Sequence, residues 1–423
     1  MNIRFYNARI LTMESRELIK GELWTSDDRI SFIGTPSEEE ISKESFDRQI
    51  DCEGNVLMPG FKNAHAHSAM TFSRSVADSY ELNDWLYKAI FPMEAKLNDS
   101  YTYTFSKLAF AEYIKSGITA DFDMYFHLDG IVKASNEVGM RTVICSSAND
   151  FGGIDRLEDE YLKYNDAGEL IGYKLGIHAE YTTSKENIAK AVEVAHKYRA
   201  PMFTHISETK SENLGCIERY GMTPVELFDK MGFYDYGGGG FHCVWFNEND
   251  RRIFSEKGLY AVFNAASNLK LASGVPDVSS FIGDGVSFGI GTDGAGSNNS
   301  LNMFKEMFLC ATQSNILREK SYSVDPFDIL KAACCTGAKI MGLDDCDILA
   351  KGKKADIIMI DMKDPSMQPE SVFVDNLVFS GDTSVVKMTM INGKILYENG
   401  SFTTVDIDSL YEEARIKAGE IRA

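Results

Sequence analysis

The chain has 423 residues and a formal net charge of -20, with 63 Asp and Glu against 43 Lys and Arg. That excess repels polyanions and no basic cluster interrupts it, which argues against nucleic acid and anionic membrane surfaces as partners and favours a small neutral or cationic ligand. No apolar run approaches a membrane span, the opening MNIRFYNARILTMES lacks a secretion-signal layout, and eight cysteines without a C-x-x-C pair suit neither a zinc ribbon nor a disulfide framework, so a cytoplasmic protein is expected.

Residues 1–57 read as short alternating strands with Asp-rich turns (IRFYNARILTM, GELWTSDDRISFIG). From residue 58 the pattern changes to short apolar runs separated by helix-like segments. Eight runs follow in order: LMPGFKNAHAH, GITADFDMYF, MRTVICSSA, YKLGIHAEY, APMFTHISE, GGFHCVWF, LYAVFNAAS and VSFGIGTDG. Alternation of this kind predicts parallel strands, and eight of them close a barrel. Among the helices, TTSKENIAKAVEVAHKYR carries Ile188, Ala191, Val192 and Ala195 at helical spacing, with Thr183 and Glu186 as a capping box. DPFDILKAACCTGAKIMGL has Asp325 and Pro326 as its start and Gly342 as its stop. The GGGG at 237–240 is expected to be a flexible loop, and it lacks the Lys-Ser/Thr of a phosphate-binding loop. The chain closes on further short strands (ADIIMIDM, VVKMTMINGKILYENG). The expected architecture is an α/β fold: a (β/α)8 TIM-type barrel over 58–345 and a small β-sandwich domain composed of 1–57 and 346–423.

Barrel active sites form at the C-terminal ends of the strands, so the residues closing each run carry the argument. The first run ends in His65 and His67, the fourth in His178, the fifth in His205 with Glu208 just beyond, the sixth in His242 and the eighth in Asp293. Of the seven histidines, only His127, near the rim, and His196, within a helix, lie outside this set. Three imidazoles and a carboxylate around one divalent ion form a hydrolytic site, in which the metal lowers the pKa of bound water. Glu208 is placed to move protons. The plainer alternatives are hydrogen-bonded core histidines at 178 and 242 and a helix cap at Asp293.

With these residues assembled, the chain resembles the amidohydrolase superfamily, in particular its methylthioadenosine and S-adenosylhomocysteine deaminase branch. The resemblance runs through VLMPGFKNAHAH, FTHISET, FHCVWF, ASNLKLASG, GTDGAGSNNSLNMFKEM and KGKKADIIMID. It implies one divalent metal, zinc first with iron or manganese as alternatives, held by His65, His67, His205 and Asp293. It implies further that Glu208, His242 and Asp293 perform the chemistry, and that Trp85, Glu94, Arg156, His178 and Ser297 bind the substrate, with Glu94 on the ribose hydroxyls. A second metal would need a lysine at the end of the fourth strand, where the chain reads GIHAE and Lys174 lies at the other end.

Two departures bear on specificity. Ser146 and Ser147 stand where relatives that accept adenosylhomocysteine place an arginine, which favours a neutral 5′ substituent, and Phe263 replaces a histidine. The expected reaction is hydrolytic deamination of an adenine nucleoside: 5′-methylthioadenosine, 5′-deoxyadenosine, adenosine or S-adenosylhomocysteine. The competing readings are deamination or dechlorination of another heteroaromatic ring (guanine, 8-oxoguanine, pterin, triazine), and a catalytically inactive barrel that serves as a binding protein. Homo-oligomers are compatible with either hydrolase.

Overall fold

A computed structural model describes residues 1–76, 78, 80 and 84–422. The central sheet contains eight parallel strands: Phe61–His67, Ile118–Tyr125, Arg141–Ser146, Ile171–Ala179, Met202–Ile206, Gly238–His242, Tyr260–Phe263 and Ser287–Ile290. Just past the last of these, Asp293 and Gly294 pair with Ala66 and His67, closing the ring onto its first strand. Every residue of Ile118–Tyr125 and Arg141–Ser146 is buried. Continuous burial, rather than alternation, is what a parallel strand with both faces covered requires. Inside the ring Ala64, Phe122, Val143, Phe203, Phe241 and Val262 pack as one cluster, so the barrel floor is solid and the cavity lies above it.

Both chain ends contribute to a second, mixed sheet of nine strands. Its two halves join where Val56–Pro59 runs antiparallel to Ile357–Ile360. The sheet has its own apolar core, including Ile3, Phe5, Leu23, Leu57, Ile357 and Met390. A buried ion pair ties it to the barrel: Arg141, at the start of the third barrel strand, donates from Nε and Nη2 to the two oxygens of Asp356 at 2.8 and 3.0 Å. The last helix, Ile407–Arg422, lies against barrel helix Asp99–Lys115, with Thr104 donating to Glu413 and Tyr101 to Glu420. Among the described residues no helix is long and apolar enough to cross a membrane.

Three local expectations are corrected. The first run is two strands: Val56–Pro59 belongs to the terminal sheet and Phe61–His67 to the barrel, divided at Gly60. The glycine tract is not a loop, since Gly238–Gly240 open the sixth strand and are buried. Neighbouring strands press so close there that a Cβ on Gly238 would meet the Met202 carbonyl oxygen at 1.9 Å, and one on Gly239 the Tyr260 carbonyl oxygen at 2.2 Å. Helix Lys185–Tyr198 is entered through Ser184 without a side-chain cap, because the Ser184 amide and hydroxyl both donate to Asp150. The helix start at Asp325 is as expected: its carboxylate accepts the Phe327 amide, and left-handed Gly342 (φ 75) ends the segment.

Candidate active site

Strand ends deliver the polar groups to the mouth of the barrel. His65 and His67, two residues apart on one strand, face the same side. His205 closes the fifth strand and His242 the sixth, and Asp293 sits on the segment that completes the ring. His242 (φ 73), Asp293 (φ 60) and Ser207 (φ 50) all hold left-handed backbone, which non-glycine residues rarely adopt. Such conformations gather where the surrounding structure must aim a side chain.

The donor atoms converge. His67 Nε2 lies 3.3 Å from His205 Nε2 and 3.3 Å from Asp293 Oδ1, and His65 Nε2 lies 3.7 Å from the same oxygen. Around a tetrahedral ion with ligand bonds of about 2.1 Å, neighbouring donors are separated by roughly 3.4 Å, which these three separations approach; His65, His67 and His205 form one close set of donors, and His65, His242 and Asp293 a second. The remote ring nitrogens fix the tautomers. His67 Nδ1 donates to the Met124 carbonyl and His205 Nδ1 to the His178 carbonyl, which leaves both Nε2 lone pairs turned inward. His65 is fully buried and stacked on Phe241 at 3.9 Å, and among the described residues neither of its nitrogens has a hydrogen-bond partner. A buried imidazole left in that state is costly, and a metal ion at Nε2 removes half of the deficit.

Electrostatics favour ligation. Burial drives the His65 and His205 pKa values far down, so these rings are neutral donors. Burial opposes the Asp293 charge, but a proton held at His67 Nε2 beside it outweighs that and keeps the carboxyl well below the carboxylate range; the same contact raises the His67 pKa, and an ion at Nε2 would displace that proton. Its Oδ2 also accepts Ser267 Oγ at 2.5 Å and Ser297 Oγ at 2.8 Å.

Around these donors stand two further ionisable groups, His242 and Glu208. His242 Nε2 lies 3.8 Å from Glu208 Oε2 and 4.0 Å from Asp293 Oδ2, and its Nδ1 is fixed by Asn268 Oδ1 at 2.8 Å. Burial raises the pKa of Glu208, whose Oε1 accepts Ser273 Oγ at 3.1 Å. A carboxyl raised in this way holds a proton more readily than an exposed one, as a group that gives and takes a proton requires.

Trp85, Glu94, His178 and Ser297 line the cavity directly above these groups. Trp85 is buried, and among the described residues its indole N–H has no partner. Glu94 Oε1 accepts the Tyr125 hydroxyl at 2.8 Å, and burial pushes its carboxyl up. His178 Nδ1 bonds Thr182, and burial takes this ring down to about 4. Arg156 does not join this cavity. It stands in an adjoining outer chamber of about 860 Å³, its side chain 68% exposed and paired with Glu160 at 3.7 Å. Ser146, Ser147 and His127 line the same chamber. His196 lies apart, beside Asp235. Phe263 packs between Phe281 and Phe288 with no exposed surface, so this departure from relatives falls in the wall of the barrel rather than at the cavity. Lys174 points to Gly342, away from His65, His67, His205 and Asp293.

Sequence reasoning passed over the residues that aim these groups: Asn268 behind His242, Ser267 behind Asp293, Ser273 behind Glu208 and Tyr125 behind Glu94. The signal available was the stretch ASNLKLASG, which supplies three of the four.

Comparison with known proteins adds an independent line. The amidohydrolase family profile matches residues 56–396. A 5-methylthioadenosine/S-adenosylhomocysteine deaminase of Caldicellulosiruptor saccharolyticus is 34% identical over 418 residues, covering 98% of this chain and 97% of the relative. A 5′-deoxyadenosine deaminase of Methanobrevibacter smithii is 34% identical over 428 residues, again with 98% and 97% coverage. Among solved structures, an adenosine deaminase from Xanthomonas campestris with bound zinc superposes with a TM-score of 0.93 at 26% identity, covering 100% of this chain and 98% of that one.

Proposed function

The chain belongs to the amidohydrolase family, and from that premise we propose that it is a metal-dependent aminohydrolase converting an adenine nucleoside to the inosine analogue and ammonia. It is a hydrolase of carbon–nitrogen bonds in cyclic amidines. The observation that carries the reading is the convergence of donors at one cavity floor, His65, His67 and His205 forming one close set and His65, His242 and Asp293 a second that shares His65, with Glu208 3.8 Å from His242.

A divalent ion, zinc in the first place and iron or manganese in the second, supplies Lewis acidity that brings a water's deprotonation near neutral pH. Asp293 Oδ2, steadied by Ser267 and Ser297, receives the proton of the attacking water. His242 Nε2 orients that water, its own ring held by Asn268. Glu208 protonates the purine ring nitrogen as water adds to C6. As the new C6 hydroxyl returns its proton to Glu208 and becomes the carbonyl, Asp293 passes the water's first proton to the amino group, so that the C6–N bond breaks and ammonia leaves. Lys174, turned toward Gly342, supports a single ion.

Glu94 reads the ribose hydroxyls, while Trp85, His178 and Ser297 enclose the nucleoside. In the outer chamber Arg156 is engaged by Glu160, and Ser146 and Ser147 are uncharged. This supports a neutral 5′ substituent, as in methylthioadenosine, 5′-deoxyadenosine or adenosine, over the charged tail of adenosylhomocysteine. All eight cysteines are free, which supports a cytoplasmic enzyme; the excess of acidic groups supports a small-molecule substrate without nucleic-acid partners. The test is ammonia release from zinc-loaded protein given methylthioadenosine, 5′-deoxyadenosine, adenosylhomocysteine and guanine. Turnover of guanine alone would overturn the nucleoside assignment, and turnover of none would leave a binding protein.

A further inference from the structure

One fully buried acid beside the site has no task in the chemistry above. Glu212, only 6% exposed, lies in helix Lys210–Tyr220, whose cap residue Thr209 accepts the Glu212 amide at 3.2 Å. In two other capped helices of this chain the acid at this position folds back onto the cap itself. Glu40 accepts the Ser37 amide at 2.8 Å, and Glu226 the Thr223 amide at 2.9 Å. Glu212 instead reaches past its cap: Oε1 accepts the Ser207 amide and Oε2 the Glu208 amide, each at 2.8 Å.

Those two amides belong to the turn on which the chain leaves the fifth strand. Ser207 is left-handed there (φ 50), its hydroxyl donates to Asn213 at 3.0 Å, and its carbonyl accepts the Trp245 amide at 2.9 Å. The turn sets where Glu208 emerges, 3.8 Å from His242 Nε2 and 3.1 Å from Ser273 Oγ. The structure assigns Glu212 as the positioning residue of Glu208, a two-oxygen clamp on the backbone that presents the proton-transferring carboxyl to the purine ring. The inference rests on the reading of Glu208 as proton carrier. A glutamine cannot replace the clamp, because it offers one acceptor oxygen and turns an N–H group toward the second amide. Burial pushes the Glu212 carboxyl up to about 7, with the Glu208 charge adding to it, so the clamp is kept despite a cost that an amide would avoid.

The experiment compares wild type, Glu208→Gln and Glu212→Gln as zinc-loaded full-length proteins, with kcat and KM for methylthioadenosine measured per bound zinc. Glu208→Gln is expected to lose about 100-fold or more in kcat. Glu212→Gln is expected to lose about 10- to 100-fold in kcat, with KM within about threefold and with zinc content and melting temperature near wild type, as for a mispositioned proton donor. A fully active Glu208→Gln overturns the reading of Glu208 and the inference with it. An inactive Glu208→Gln beside a Glu212→Gln within about twofold of wild type overturns the inference alone, and so does a KM that rises as far as kcat falls. If Glu212→Gln does not fold, Glu212→Asp, which keeps the charge but retracts it by one methylene, is read in the same way.

Discussion

Replacing Glu94 by glutamine separates nucleoside recognition from ring chemistry. In the structure one carboxylate oxygen of Glu94 receives the Tyr125 hydroxyl, which orients the group over the cavity and leaves the other oxygen for a ribose hydroxyl. Glutamine keeps an oxygen for Tyr125 but presents N–H groups to the sugar, so one charge-assisted hydrogen bond is lost. A bond of that kind contributes about 1.5–3 kcal/mol, or roughly a 10- to 150-fold fall in kcat/KM for methylthioadenosine. The assay is ammonia release at several substrate concentrations, run in parallel on methylthioadenosine and on free adenine, which has no ribose to lose. Tyr125→Phe, which frees Glu94 without removing it, is expected to cost less. A Glu94→Gln enzyme within threefold of wild type on the nucleoside, or one equally impaired on adenine, would show that Glu94 does not read the sugar.

Chelation is expected to abolish turnover and added zinc to restore it; at a free zinc concentration a thousandfold above Kd the folded state gains about 4 kcal/mol, and a calorimetric melting temperature insensitive to zinc would contradict His65, His67, His205 and Asp293 as its site. Arg141→Ala strands Asp356 as an uncompensated buried charge, so urea unfolding should register a loss of about 3–5 kcal/mol, and a loss below 1 kcal/mol would mean that the pair does not brace the two sheets. Glu306 is raised by burial to about 7 while holding the Ala266 amide and the Asn298 side chain. Its folded pKa exceeds its unfolded one, so its share of stability is complete below about pH 4.3 and lost as pH rises through 7, a swing of about 3 kcal/mol. Glu306→Gln should flatten the stability–pH curve by that amount, and an unchanged slope would refute the assignment.

The barrel was legible because parallel strands announce themselves as uninterrupted apolar runs, and the site because a barrel brings every strand end to one face. His65, His205 and Asp293, far apart in the chain, could therefore be read as neighbours from their places in the runs alone. What escaped depends on distances that no local pattern carries. Gly238–Gly240 read as a loop, since glycine serves turns, whereas here it serves the close approach of Met202 and Tyr260. Thr183 and Glu186 have the spacing of a capping box, but Asp150, brought in from another loop, engages Ser184 first. Arg156 lies in the region named for substrate contact, yet the outer chamber draws it to Glu160. Asn268, Ser267 and Ser273 carry no charge and lie well beyond the strand end at Phe263, so only the stretch ASNLKLASG as a whole marks them.

Two of the four side chains proposed to hold the metal come from the first barrel strand and one from the segment that pairs with it to complete the ring. An ion held there works as a clasp across the seam of the cylinder. Nascent chain must extend past residue 293 before the clasp can fasten, so catalytic competence and closure of the fold arrive together, late in synthesis. A protein that has lost such an ion would accordingly loosen first where the ends of the barrel meet, and the four side chains proposed to hold it would then also decide how tightly the barrel stays shut.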